Sequence, residues 1–223
     1  MRLPSIATIV FFSTIVDAAF DYNKGGASLK APSSESFTSV TGTFTVPSLT
    51  GTNRLSIWLG IADSSSQNYV IGGGIVFNKT LGTFAAFFPE SSIDTTARVP
   101  VVANDSIVVT ASLTSANTGT VVIENKTQNK TIEQTVAAPT TADPSALTAL
   151  YADWWVQGYQ VIPGELLTTP KFGTITFTGV GATLASGKQV DATGAGKYEL
   201  QGTSGQVFTQ TTISGNQIVV KQQ

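Results

Sequence analysis

The chain has 223 residues, 41% of them hydrophobic, which suits a single all-β domain with a substantial core. It contains no histidine and no cysteine, which excludes Ser-His-Asp and Cys-His catalysis, histidine-ligated zinc and disulfide bonds. The formal net charge of -2 gives no basic surface for a phosphate backbone, so we expect no nucleic-acid partner.

The N-terminus has the pattern of a secretory signal peptide. Met1-Arg2 is positively charged, residues 6–15 are mostly apolar, and Val16-Asp17-Ala18 then provides small residues at the positions that a signal peptidase reads. The apolar run is short for a bilayer span. We expect cleavage after Ala18 or Ala19, secretion, and one domain over residues 19–223, with an uncleaved anchor or a buried N-terminal strand as alternatives.

The rest of the chain predicts short β-strands separated by turn residues. In chain order, the predicted strands are 37–46, 55–61, 69–77, 83–88, 98–102, 106–114, 120–125, 130–136, 151–161 and 173–178, with at least two more over 198–220. The third and fourth strands are expected to meet at a turn formed by Leu81-Gly82. The predicted architecture is an all-β sandwich.

The segment 145–154 has two interpretations. Asp143-Pro144 can begin a helix, and apolar residues recur at helical spacing as far as Trp154. The aromatic and β-branched residues of 151–161 favour a strand. We expect a helical turn over 145–149 and then a strand, with a short core-facing helix as the alternative.

Alternate residues of this strand face opposite sides of the sheet. Asp153, Trp155 and Gln157 share one face, whereas Trp154 and Val156 share the other. Polar groups on one side and apolar groups on the other are typical of a sandwich strand that lines a cleft. The alternative is that the two tryptophans pack into two separate cores.

Four Asn-x-Ser/Thr triplets agree with export and predict glycosylation. They begin at Asn78, Asn104, Asn125 and Asn129. The last two flank the expected tip of a hairpin.

An ordered set of motifs resembles the fungal glutamic peptidases, also called eqolisins. The segments VTGTFTVP (40–47), IWLGI (57–61), YVIGGGIVF (69–77), FFPE (87–90) and ADWWVQ (152–157) are similar to segments of that family and follow its order. The resemblance covers residues 23–223. It implies a concanavalin A-like, jelly-roll type sandwich of two antiparallel seven-stranded sheets, and a secreted acid endopeptidase.

The resemblance also implies a catalytic pair that this chain lacks. In the family, a glutamate is the general base and acid, and a glutamine stabilises the oxyanion. The glutamate position falls on Gln157 and the glutamine position on Gly72, while a family tryptophan falls on Lys24. Two family carboxylates fall on Ala86 and Ala62. An amide does not exchange protons at ordinary pH, so we expect a catalytically degenerate member.

The main hypothesis is therefore a secreted, glycosylated, monomeric protein that binds a peptide or another ligand. The predicted cleft contains Trp58, Trp155 and Gln157, together with Glu90 and Asp63. No metal, cofactor or membrane partner is expected.

Two alternatives remain. Asp153 with Gln157 would form a replacement pair, giving an active acid endopeptidase. A carbohydrate-binding or structural cell-wall protein would use the same sandwich, although no Glu-x-Asp-x-Glu strand of a sandwich glycosidase is present. Gly72-Gly73-Gly74 does not predict a phosphate loop, because no Lys-Ser/Thr follows it.

Overall fold

The computed structural model describes residues 18–21, 23–162, 165–166 and 169–223, with the backbone alone for 160–162 and 165–166. The predicted signal peptide lies outside the described residues apart from Ala18. No helix in the described part of the chain is long and apolar enough to span a membrane.

The described residues form eighteen strands and one short 3-10 turn over Pro144–Ala146. In chain order the strands are β1 (Ala19–Asp21), β2 (Lys24–Lys30), β3 (Phe37–Thr45), β4 (Leu55–Ala62), β5 (Val70–Asn78), β6 (Thr80–Phe88), β7 (Ile93–Asp94), β8 (Ser106–Ser115), β9 (Thr118–Asn125), β10 (Lys130–Ala137), β11 (Tyr151–Gly158), β12 (Gln160–Ile162), β13 (Glu165–Leu166), β14 (Thr174–Leu184), β15 (Gln189–Val190), β16 (Gly196–Leu200), β17 (Thr209–Ser214) and β18 (Gln217–Gln222).

Two eight-stranded sheets pack face to face and confirm the predicted β-sandwich. The first has the order β1-β16-β2-β11-β4-β5-β6-β7, and the second has the order β10-β9-β8-β3-β14-β18-β17, with β15 beside β14. All pairings in these sheets are antiparallel except that of β1 with β16. The resemblance implied seven strands a sheet; each sheet has one more, and two-residue strands such as β7 in the first sheet and β15 in the second account for the difference. β12 and β13 form a separate hairpin.

The main core lies between the sheets, where alternate apolar residues of both inner faces meet. Phe37, Phe44 and Phe177 of the second sheet are fully buried there, as are Leu59 and Trp154 of the first sheet. The indole Nε1 of Trp154 donates to the carbonyl oxygen of Thr41, 3.0 Å away, so this buried tryptophan also bridges the two sheets.

The outer face of the first sheet carries a second, smaller cluster. Trp58 and Trp155 lie side by side on β4 and β11, with Ala62, Val70 and part of Tyr198 packed around them. Trp155 and Tyr198 meet edge to face, with ring centroids 5.2 Å apart. The predicted division of β11 into two faces is therefore confirmed. The two tryptophans pack into two separate clusters, as the alternative interpretation of this strand expected.

The structure corrects the predicted strand 98–102. Val99 and Val101 are buried as a strand pattern requires, but the segment is a turn and an irregular loop. The N–H groups of Arg98 and Val99 both donate to the carbonyl oxygen of Thr95. The following Pro100 has no N–H for a sheet ladder. Alternating valines therefore anchor a loop to the core here.

Three local predictions differ from the structure, and one strand was not predicted. The turn between β5 and β6 lies at Lys79, whose φ is 65°, and not at Leu81-Gly82. The helical turn is shorter than 145–149 and precedes an irregular segment that leads to β11. β14 continues six residues beyond the predicted end at 178 by passing a bulge. β2, with two glycines in its first half, was not predicted.

Candidate ligand-binding site

A cavity of about 600 Å³ opens on the outer face of the first sheet. Its lining residues come from β4, β5, β6 and β11, from the start of β2, and from the loops that follow β4 and β6. Aromatic side chains of Trp58, Phe84, Phe88 and Tyr159 line it together with amide and hydroxyl groups. This composition suits a ligand that has both apolar groups and hydrogen-bonding groups.

The two positions that the sequence resemblance predicts for the family's catalytic pair both line this cavity. Gln157 lies near the end of β11, and Gly72 lies on β5, two strands away in the sheet. The indole Nε1 of Trp58 donates to Gln157 Oε1 at 2.7 Å. This bond orients the Gln157 amide. Its Oε1 accepts from Trp58, and its Nε2 remains available to donate to a ligand.

Gly72 leaves no room for a side chain. A Cβ atom built on this glycine would collide with the main-chain oxygen of Leu59 on the neighbouring strand β4. The neighbouring Gly73 and Gly74 are equally tight against the backbones of β6 and β4. The glycine run therefore belongs to the packing of the sheet, where strands approach closely, and a glutamine at 72 would require the backbone to shift.

Asp153 lies on the outer face of the first sheet but is not among the residues that line the cavity. Its side chain is fully buried, with an exposed fraction of 0%. Ser28 Oγ on β2 donates to Oδ1 at 2.5 Å, and Gln67 Nε2 in the loop after β4 donates to Oδ2 at 2.5 Å. Gln67 Oε1 in turn accepts from Lys24 Nζ. The network connects a buried carboxylate to an ammonium group at the wall of the cavity.

Burial raises the pKa of Asp153 to about 6, because a carboxylate loses hydration there. The hydrogen bonds from Ser28 and Gln67, the positive charge of Lys24 and the nearby indole of Trp155 oppose this rise. The Trp155 Nε1 group itself is buried without a hydrogen-bond partner among the described residues. Asp153 thus changes charge in the mildly acidic range.

The structure contradicts the replacement pair of Asp153 and Gln157. These residues are four positions apart on one strand, so their backbones are about 13 Å apart at the usual rise of about 3.3 Å per residue. Both oxygens of Asp153 already accept hydrogen bonds, and no part of its side chain reaches solvent. A substrate in the cavity cannot touch this carboxyl group.

The remaining predicted cleft residues divide between the cavity and other places. Trp58 and Glu90 line the cavity, and Glu90 is the one carboxylate among its described lining residues. Trp155 lies behind the wall, beneath Lys24 and Tyr198. Asp63 lies in the loop after β4, where its Oδ1 accepts the N–H of Tyr69, and it has no place in the cavity.

The four predicted glycosylation sites differ in their exposure to solvent. Asn78, Asn104 and Asn129 are exposed. Asn125 is fully buried, and its Nδ2, the atom that a glycan would modify, donates to the Pro100 carbonyl oxygen and to Asp105 Oδ2. The structure contradicts the predicted glycan at Asn125, because a glycan on this buried nitrogen is incompatible with its packing and its two hydrogen bonds.

Sequence reasoning missed Gln67 and Ser28, the direct partners of Asp153. Gln67 is one of several polar residues in its loop, and no recognisable turn motif in the sequence predicts its positive φ of 55°. Tyr159 was also missed; its hydroxyl pairs with Ser56 Oγ at 2.7 Å, and its ring lies 4.0 Å from the guanidinium carbon of Arg54. No signal in the sequence connects these residues to the cavity.

Comparison with known proteins identifies the family. The model of the Peptidase A4 family matches residues 22–222. This chain belongs to the Peptidase A4 family. It is also 24% identical over 213 residues to aspergillopepsin-2 from Aspergillus niger, a match that covers 83% of this chain and 73% of the relative. The expected relationship to the glutamic peptidases is confirmed.

Solved structures of Peptidase A4-like proteins share the fold. A scytalido-glutamic peptidase with a transition state analog inhibitor superposes with a TM-score of 0.78 at 21% identity, covering 91% of this chain and 99% of that one. SCP-B, an eqolisin in complex with the tripeptide Ala-Ile-His, gives a TM-score of 0.73 at 21% identity and the same coverage. Aspergilloglutamic peptidase from A. niger gives 0.67 at 24% identity, covering 77% of this chain and 99% of that one.

Proposed function

We propose that this Peptidase A4 family member is a secreted protein that binds a peptide segment in the cavity and does not cleave it by the family's usual mechanism. One observation carries the proposal. Gly72 and Gln157, at the positions of the catalytic pair, both line a cavity of about 600 Å³, and neither can accept or release a proton there.

The chemistry of the wall supports a peptide as the ligand. The Gln157 amide is oriented by Trp58 and presents a donor, and Ser56, Gln67 and Asn68 add further polar groups. An extended peptide offers alternating carbonyl and N–H groups for such a wall, and apolar side chains for Phe84 and its neighbours. This choice of ligand agrees with two solved structures of relatives, one with a peptide-based transition state analog and one with a tripeptide.

The expected loss of catalysis follows from the rate enhancement that each missing group would supply. A general acid or base contributes about a hundred- to ten-thousand-fold to the rate. An oxyanion donor contributes roughly another hundred- to thousand-fold. We therefore expect the secreted protein to cleave an acid-unfolded protein substrate no faster than a buffer blank, over an acidic pH series in which aspergillopepsin-2 digests it.

The decisive variants are Gln157→Ala and, as a matched control, Gln210→Ala, an exposed glutamine on β17. Cleavage by the unmodified protein that disappears in Gln157→Ala and persists in Gln210→Ala would overturn the proposal. Saturable binding of peptides, measured by calorimetry and weakened in Gln157→Ala alone, is the expected result.

Residual peptidase activity is a second candidate, favoured by a single observation. Glu90 follows β6 and is an exposed carboxylate at the cavity wall. If it acts as a general base, slow cleavage at acidic pH disappears in Glu90→Gln and is unchanged in Glu35→Gln, an acidic residue outside the cavity. Equal activity of both variants contradicts this role for Glu90.

A further inference from the structure

Lys24 brings a positive charge to the wall of the cavity, at the position where the resembling family has a tryptophan. It is the first residue of β2, and its half-buried side chain lines the cavity beside Asn23 and Gln67. No other lysine or arginine is among the described lining residues. The proposed ligand site therefore has one positively charged side chain among its described lining residues.

The surrounding residues hold this ammonium group in place. Its Nζ donates to Gln67 Oε1, and the Gln67 amide is fixed at its other end because Nε2 donates to Asp153. Nζ also lies 5.7 Å from the ring centre of Trp155, within the range of a cation–π contact. A lysine side chain that is positioned before a ligand arrives loses less entropy on binding.

The ammonium keeps donors for a ligand. A lysine has three N–H donors, and one of them is used by Gln67. Asp153 lies beyond the Gln67 amide, and the Asp21 carboxylate accepts the backbone N–H groups of Asn23 and Lys24, so neither pairs directly with Nζ among the described residues. Glu90, the remaining charged group in the lining, is exposed to solvent.

We propose that Lys24 binds a carboxylate group of the ligand, so that the cavity prefers peptides with an acidic side chain or a free C-terminus. The inference rests on the proposed function and adds the chemical class of the ligand. A charge-assisted hydrogen bond from an ammonium to a carboxylate is stronger than one between neutral groups. Gln157 Nε2, free to donate, offers a second partner to the same anion or to the adjacent peptide group.

Asp153 makes this preference depend on pH. As its charge is lost below a pKa of about 6, the positive field of Lys24 is no longer opposed by the carboxylate behind Gln67. The other ionisable groups around Asp153 are Tyr198 on β16, with Tyr151 and Asp21 next to it; burial raises the pKa of Tyr198, which therefore stays neutral. Affinity for a carboxylate should rise between pH 7 and 5, and fall again where the ligand itself is protonated, near pH 4.

The test uses three pentapeptide libraries with acetylated N-termini; the first and the third each differ from the second in one group. The first contains glutamate with an amidated C-terminus, the second contains glutamine with an amidated C-terminus, and the third contains glutamine with a free C-terminal carboxylate. Binding to the full secreted protein is measured by fluorescence anisotropy at pH 5 and pH 7. The variants are Lys24→Gln and, as a control, Lys30→Gln, an exposed lysine on the same strand.

We expect the first or the third library to bind about tenfold more tightly than the second at pH 5, a difference of about 1.4 kcal/mol. Lys24→Gln should remove this difference and Lys30→Gln should keep it. Tighter binding of the first library would show that the recognised carboxylate belongs to a side chain, and tighter binding of the third would show that it belongs to the C-terminus. Equal binding of all three libraries, or a preference that survives Lys24→Gln, overturns the inference and leaves peptide binding intact. Binding of none of them contradicts both this inference and the proposed function.

Discussion

Asp153 lies on the first sheet beside the cavity, and it is not among the lining residues. It is buried with two hydrogen bonds from neutral groups and with its nearest cation one amide away. In the low dielectric of the sheet, ionising this carboxyl is unfavourable, and this raises its pKa to about 6. The same group thus influences both the stability of the fold and the field at Lys24.

This shift predicts a stability that increases on mild acidification. The unfolded chain releases the proton near pH 4, whereas the folded chain keeps it up to about pH 6, so the folded state binds more protons in this interval. The contribution of Asp153 to the free energy of unfolding should therefore fall by roughly 2–3 kcal/mol as the pH rises from 4 to 7. Urea unfolding at a series of pH values measures this slope.

The control for this experiment is Asp105, whose pKa is shifted in the opposite direction. Burial disfavours the charge of Asp105, but hydrogen bonds from Val102 N–H, Asn125 and Gln128 outweigh it and keep its pKa below the usual range. Asp153→Asn should flatten the slope between pH 4 and 7, whereas Asp105→Asn should leave that slope unchanged and remove only the loss of stability that the unmodified protein shows below about pH 4. An unchanged slope in Asp153→Asn contradicts the assigned burial effect.

At the scale of elements, the close approach of β4 and β5 determines the floor of the cavity. Gly60 pairs with Gly72, and Gly74 pairs with Trp58, so glycines on either strand permit the contact. Side chains at these positions would meet main-chain atoms, which cannot rotate away. The glycine at 72 therefore has a structural role in the packing of β5 against β4.

We predict that Gly72→Ala lowers the free energy of unfolding by roughly 2–3 kcal/mol, because overpacking in the interior strains the surrounding structure. Gly196→Ala is the matched control, since its Cβ would lie 3.6 Å from the Tyr198 ring, an ordinary contact. Equilibrium urea unfolding compares the two variants. Equal stability of Gly72→Ala and the unmodified protein would show that the strands separate easily.

Elements also show the limits of sequence patterns. The valines near Pro100 alternate as in a strand but fix a loop, because the hydrogen bonds of Arg98 and Val99 are made within a turn. The first half of β2 contains glycines, which disfavour strands locally, and pairing with β11 on one side and β16 on the other imposes the conformation. Burial is visible in the sequence, whereas hydrogen-bond partners distant in the chain are not.

For the whole molecule, one core connects the two sheets. Its buried residues come from both inner faces, and Trp154 of the first sheet reaches the backbone of the second at Thr41. Neither sheet can keep its inner face buried without the other. Cooperative unfolding of both sheets is therefore expected.

The tryptophans allow this to be measured, since Trp58, Trp154 and Trp155 all belong to the first sheet. Their fluorescence reports on that sheet, whereas far-ultraviolet circular dichroism reports on both sheets. We predict that the two signals change at the same urea concentration. Transitions at separate concentrations would mean that the second sheet unfolds independently of the first.

The sequence by itself determined the fold class, most strands, the two faces of β11 and the family, because these follow from local periodicity and from the order of motifs. It also predicted, through the resemblance, that Gly72 and Gln157 occupy the positions of the catalytic pair. Only the tertiary structure decided that Asp153 is buried away from any ligand, that Gln67 connects it to Lys24, and that Asn125 is closed to glycosylation. These features depend on contacts between residues distant in the chain, such as Gln67 with Asp153, and no local pattern specifies such a contact.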